Sequence, residues 1–222
     1  MPTSKMNRRR FLAVAGAAVG ASAMACGGLT VLGTRQPPVH LVDTTLGEST
    51  MTNTILVTYA SKAGSTGGVA QAIGQSLADG SAQVVVRPMR EVSDLSPYQA
   101  VVAGSAIRAG RWLPEARQFV QNHQAALAQK PFAAFLVCLT LAQPSADALQ
   151  KAAAYLDPVR ALVKPASEGL FAGVVDFGKL PVVPEGLIMR AILASSHMEA
   201  GDYRDWNAIR AWAVDLKPKL AA

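Results

Sequence analysis

The stretch that decides the fold is Ile55–Ile73, ILVTYASKAGSTGGVAQAI. It opens on five residues suited to a strand, Ile55, Leu56, Val57, Thr58 and Tyr59. Small and polar residues follow from Ala60 to Gly68, and Val69, Ala70, Ile73 and Leu77 then recur at the spacing of one helix face. A strand that enters a helix through such a loop presents backbone N–H groups, hydroxyls and the positive end of the helix dipole to an anion. Ser61, Ser65 and Thr66 supply the hydroxyls, and Gly64, Gly67 and Gly68 let the backbone turn and approach a ligand. The stretch reads as the phosphate site of a bound cofactor.

Other phosphate loops do not fit these residues. A Walker loop ends in Gly-Lys-Ser/Thr, whereas Lys62 comes early here and no such ending follows. A dinucleotide fingerprint needs Gly-x-Gly-x-x-Gly directly after the strand, and the glycine spacing differs. A phosphatase of this layout would carry a cysteine in the loop, and there is none. A response-regulator domain would need acids by the first strand, yet residues 55–78 hold no Asp or Glu.

Downstream, strand and helix patterns alternate. Strands are predicted at 53–59, 82–87, 99–105, 132–139 and 170–177, and helices near 66–78, 114–127, 145–157 and 204–217. Five β–α repeats imply an α/β fold, with a parallel sheet covered by helices on both faces. Half of the residues are hydrophobic and few are aromatic, which suits a buried parallel sheet.

The first stretch resembles the FMN-binding signature of the flavodoxins. Val57, Tyr59, Ser61, Gly64, Thr66, Ala70 and Ile73 match it in register, and Thr58 departs from it where an aliphatic or aromatic residue is usual. The resemblance implies a flavodoxin-like, doubly wound sheet of five parallel strands in the order 2-1-3-4-5. It implies FMN at the carboxyl ends of the first and third strands. Ser61, Lys62, Gly64, Ser65, Thr66 and Gly67 would surround its phosphate. The loop after the third strand, GSAIRAGRW, would flank the ring, with Ser105, Ala106, Ile107, Arg108 and Gly110 beside it and Trp112 as a stacking candidate. Trp112 could equally begin the following helix and pack inward. Thr140, after the fourth strand, is the remaining candidate.

A narrower similarity covers roughly residues 53–218. YQAVVAGSAIRAGRWLPEARQFVQNH is similar to a segment of the menaquinone-dependent protoporphyrinogen oxidases, a flavodoxin-like branch, through Ile107, Arg108, Gly110, Phe119 and Val120. LIMRAIL and GDYRDW look like the tail of that branch, although 179–204 is less basic. The resemblance implies electron transfer by FMN, as an oxidoreductase of that type or one linked to a quinone, or as an electron carrier with a redox partner protein. A flavin-free binding module is the reading from another class.

Residues 1–33 read as an export segment. NRRRFL precedes a charge-free, Gly/Ala-rich run, and Arg8-Arg9 or Arg9-Arg10 before Phe11-Leu12 resembles a twin-arginine signal. Such export carries folded proteins, so a cofactor could be inserted first. The alternative is a membrane anchor, since residues 11–32 are long enough to span a bilayer. Ala23-Met24-Ala25-Cys26 fits a lipoprotein box or ordinary signal cleavage, and both stay open. Residues 34–52 read as a linker, and residues 53–220 as the flavodoxin-like domain.

The formal charge of +6 arises mostly in that leader. Without Lys5, Arg8, Arg9 and Arg10, the chain has 17 basic residues against 15 acidic ones, which gives no reason to expect nucleic acid. Cys138, in FAAFLVCL, reads as a buried core thiol. His197, Glu199, Asp202 and Asp205 match no metal spacing and read as a solvated turn and helix cap. No nucleophile–base pair stands out among the three histidines.

Overall fold

Each predicted strand carries an apolar run long enough to cross a sheet buried on both faces. In the computed structural model, which describes residues 41–48, 53–78, 82–176 and 199–221, these runs form one sheet. The leader, Cys26 and most of 179–204 lie outside the described residues. The chain divides into two units, and Val39–Val175 with Ala200–Ala222 holds nearly all that is described. The other consists of Met1–Pro38 and Asp176–Glu199.

Five strands are parallel: β2 (Thr54–Ala60), β3 (Gln83–Pro88), β4 (Ala100–Arg108), β6 (Phe132–Cys138) and β7 (Ser167–Ala172). They lie side by side as β3-β2-β4-β6-β7, which in chain order is 2-1-3-4-5. The sheet also gains two short strands. Residues 34–52, read above as a linker, contribute β1 (Thr44–Leu46), antiparallel to β3 with Thr45 opposite Val85. Its Thr-Thr-Leu is too short to show a period, but two β-branched residues suit an edge strand. The second addition, β5 (Arg111–Trp112), folds back antiparallel on the end of β4.

Side chains of β2 alternate between two cores, as the pleat requires. Ile55, Val57 and Tyr59 join one core with Val69 and Ile73 of helix α1 (Ser65–Leu77) and Ile209, Ala213 and Leu216 of helix α6 (Trp206–Leu220). Leu56 faces the other core, with Phe119 and Val120 of α2 (Pro114–Asn122), Leu127 of α3 (Gln124–Leu127), Ala148 and Ala152 of α4 (Ala146–Ala154) and Val159 of α5 (Asp157–Arg160). Thr58, the departure from the signature, is fully buried, and its hydroxyl donates to the Arg87 carbonyl at 2.9 Å. That bond removes the cost of a polar group in the sheet.

Several expectations need correction. The single helix over 114–127 is broken at His123, and the helix over 145–157 ends its main run at Ala154. Leu149, which shares a helical spacing with Ala152, Ala153 and Leu156, is half exposed, and Ala148 is the buried neighbour. The second crossover carries only a short 3-10 turn, Met89–Glu91, so four of the five strand-to-helix repeats hold an α-helix. The last helix starts at Trp206 because Asp205 caps it, accepting from the Asn207 and Ala208 N–H groups at 3.0 Å each.

Gly104 lies opposite Phe135 in the β4–β6 register, and a Cβ there would stand 2.0 Å from the Phe135 ring. The ring also meets Phe171 and Trp212, each at 6.3 Å between centroids. Gly104→Ala should therefore overpack the sheet and lower stability by about 1–3 kcal/mol in denaturant unfolding. An unchanged midpoint would show that the ring has room to move.

Candidate functional site

β2 ends at Ala60, beside the end of β4, where the strand order reverses and open α/β sheets form a ligand crevice. Beyond it, the Ser61 hydroxyl oxygen accepts from the Gly64 N–H at 2.9 Å and closes the loop. Gly64 then takes a left-handed conformation, with φ of 87°, immediately before α1. No side chain caps α1, and its first turn contains no acid. Helix geometry leaves the Ser65, Thr66 and Gly67 N–H groups without intrahelical acceptors, whereas the Gly68 N–H reaches the Gly64 carbonyl at 3.2 Å.

The Thr66 hydroxyl decides what this loop can hold. Thr66 is 0% exposed, and its Oγ1 has no hydrogen-bond partner. Buried unpaired hydroxyls are costly, and this one sits among uncapped N–H donors at the positive end of a helix dipole. An anion with several acceptor oxygens would satisfy such groups, so the residue types of the loop fit a flavin phosphate. Ser65 is partly exposed and Lys62 exposed on the same loop.

The loop rests on two unexpected supports. A Cβ on Gly67 would stand 3.0 Å from the Tyr59 ring, so glycine brings the helix down onto that ring. The Tyr59 hydroxyl donates to the Val42 carbonyl at 2.9 Å, and burial pushes its pKa up to about 12. Tyr59 thus ties the loop to the segment before β1. On the other flank, Arg204 Nη1 donates to the Ser65 carbonyl at 3.2 Å.

The segment expected to flank the ring is a hairpin. Ile107 pairs with Trp112 and Arg108 with Arg111, leaving Ala109-Gly110 as a two-residue turn with φ of 49° and 71°. Positive φ at both positions matches the twist of a tight hairpin, which Gly110 adopts freely and Ala109 under strain. Ala106, Ile107 and Arg108 are half-buried along β4. The Ser105 hydroxyl is committed within the hairpin, since it accepts from the Leu113 N–H at 3.0 Å and donates to the Ala106 carbonyl at 2.8 Å. Trp112 does not stand out as a stacking ring. It is 3% exposed and lies in the core beside Leu56 and Leu113.

Thr140 lies in a 3-10 turn after β6, with its Oγ1 3.3 Å from the Tyr155 hydroxyl. The Tyr155 ring also stands 3.4 Å from where a Cβ on Gly110 would be, so it links this turn to the hairpin. Cys138 is buried, and that burial pushes its thiol pKa up, which suits a core residue. No group of three or more metal-ligating side chains occurs among the described residues.

Tyr155 and Arg204 carry no motif, so sequence reasoning passed over both. The only signal for Arg204 was its place in GDYRDW, beside the aspartate that caps α6.

Residues 56–201 match the family described as "Flavodoxin domain", and the chain belongs to that family. Membership implies a flavin cofactor. Solved structures with a similar course include a flavodoxin from the domain Archaea, at 16% identity and TM-score 0.47 over 76% of this chain and 99% of that one. Flavodoxin 2 from Bacillus cereus is similar at 20% identity and TM-score 0.45, over 76% of this chain and 97% of that one. Rubredoxin oxygen:oxidoreductase from Desulfovibrio gigas is similar at 19% identity and TM-score 0.42, over 78% of this chain but 38% of that one. No curated protein matches the sequence.

The unpaired hydroxyl gives a test that needs no ligand. Thr66→Val keeps the shape and deletes the orphan group, so the flavin-free protein should gain about 1 kcal/mol, or about 2–4 °C in Tm. A loss of stability would mean that the hydroxyl is already satisfied inside the protein.

Proposed function

We propose that this chain is an FMN-dependent electron-transfer protein that works as an oxidoreductase with a quinone or a redox protein as partner. The observation that carries the reading is the buried, unpartnered Thr66 hydroxyl at the uncapped start of α1. Thr66, Ser65 and the first-turn N–H groups of residues 65–67 hold the phosphate, with Ser61 and Gly64 shaping the loop and Lys62 adding positive charge. Ala106, Ile107, Arg108 and Gly110 on the hairpin, and Thr140 on its turn, flank the ring. Their backbone groups and the apolar wall behind them set how well each charge state is accommodated. Bound FMN supplies one- and two-electron transfer.

The finer form of the reading is the menaquinone-dependent protoporphyrinogen-oxidase type. Its support is the match at Ile107, Arg108 and Gly110, which lie together on the hairpin. Residues 1–33 act as a twin-arginine-type leader, placing the protein outside the cytoplasm or holding it at the membrane through 11–32. No helix among the described residues is long and apolar enough to cross a membrane.

The test is an absorption spectrum of the full chain loaded with FMN and desalted. Flavin bands should remain at near-stoichiometric intensity, and Thr66→Ala should weaken FMN binding by about tenfold or more, the scale of one hydrogen bond to a charged group. A folded protein that returns colourless would overturn the proposal. Dithionite-reduced protein mixed anaerobically with a menaquinone analogue should then reoxidise, and failure with every quinone would leave a protein partner as the acceptor.

A further inference from the structure

Arg204 reaches the phosphate loop from the far end of the chain, 139 residues away from Ser65 in sequence. Its guanidinium is held from three directions. Nε and Nη2 fork onto Asp202 Oδ1 and Oδ2 at 2.8 and 2.6 Å, and the Arg204 N–H also donates to Asp202 Oδ1 at 3.1 Å. The Trp206 ring lies under the guanidinium, 4.2 Å from its Cζ. The remaining arm, Nη1, donates to the Ser65 carbonyl in the first turn of α1. The Arg204 side chain is only 15% exposed, while its partner Asp202 is 40% exposed.

Gly68 makes room for that arm. A Cβ there would stand 2.7 Å from Arg204 Nη1 and 3.7 Å from the Trp206 ring. Glycine costs helix stability relative to alanine, so its presence inside α1 needs a local reason. The close guanidinium is that reason. Asp202 itself is held by β9 (Gly201–Asp202), which pairs with β8 (Val174–Val175), and the Arg204 pairing keeps its carboxyl pKa below the ordinary value. The fork, the stack and the cleared glycine all fix one thing, the position of the first turn of α1.

We propose that Arg204 is a positioning residue for the phosphate cradle, holding the Ser65–Gly67 donors in place by gripping the Ser65 carbonyl. This rests on the FMN reading above. Asp202 balances the guanidinium charge, so Arg204 acts by orientation rather than as a free cation offered to the phosphate. The contribution belongs to the phosphate alone, which separates it from general support of the fold. Arginine suits the role because its planar fork fixes direction while its face stacks, and lysine can do neither.

The test compares FMN with riboflavin, which lacks the phosphate, by fluorescence titration of the full chain. Arg204→Ala should weaken FMN by about tenfold, the scale of one charge-assisted hydrogen bond, and change riboflavin by less than about twofold. Asp202→Asn should weaken FMN in the same direction through loss of the fork. Gly68→Ala keeps every charge, favours the helix and presses only on the Nη1 arm of Arg204, so it guards against a variant that fails to fold. It too should weaken FMN, and it should add little on the Arg204→Ala background, because both changes remove the same contact.

Equal losses for FMN and riboflavin would overturn the proposal, as would tighter FMN binding in Asp202→Asn, which would mark Arg204 as a direct cation. Full additivity of Gly68→Ala with Arg204→Ala would overturn it as well. If the unaltered protein binds FMN no better than riboflavin, the cofactor reading itself fails, and that outcome is separate from these.

Discussion

A helix start without a cap is the constraint on which this structure turns. Ser, Thr, Asp or Asn at the N-cap would satisfy a first-turn donor internally. Here Gly64 stands at that place in a left-handed conformation, and the nearby Thr66 hydroxyl is buried without a partner. The fold therefore carries donors with no partner among the described residues at the point where the strand order reverses. Sheet packing holds them there, because β2 is buried on both faces and can shift in neither direction.

The two cores divide the work of holding the site. The core under α1 and α6 sets the loop at the start of α1, since Tyr59, Val69 and Ile73 share it with Ile209, Ala213 and Leu216. The core on the other face sets the hairpin, where Trp112 and Leu113 pack beside Phe119. Tyr155 then ties the hairpin to the Thr140 turn, and Tyr59 ties the loop to the chain before β1. Each functional loop is thus anchored by a side chain that lies outside it.

Much of this was legible in the sequence, for a physical reason. The strand–loop–helix from Ile55 to Ile73 encodes its structure locally, through β-branched residues, small loop residues and a helical repeat, so its boundaries could be read to within a residue or two. What escaped reading depends on contacts distant in sequence. β1 has three residues and gains its place only by pairing with β3. The hairpin at Ala109-Gly110 uses alanine at positive φ, where Asn or Gly would have given the usual signal. Trp112 faces inward because β5 turns it there, and Arg204 meets Ser65 only once α6 has docked beside α1. Local pattern cannot carry such information.

We propose that the donors at the start of α1 hold a phosphate dianion. The most direct measurement is the 31P resonance of FMN bound to the full chain, followed from pH 5 to pH 8. Donors that favour the doubly charged form lower the second pKa of the phosphate, which is about 6 when it is free. The group would then stay dianionic in the folded complex above that lowered pKa, and the shift should not move across the range. A bound resonance that titrates near the free value, as though the phosphate lay in water, would contradict the claim.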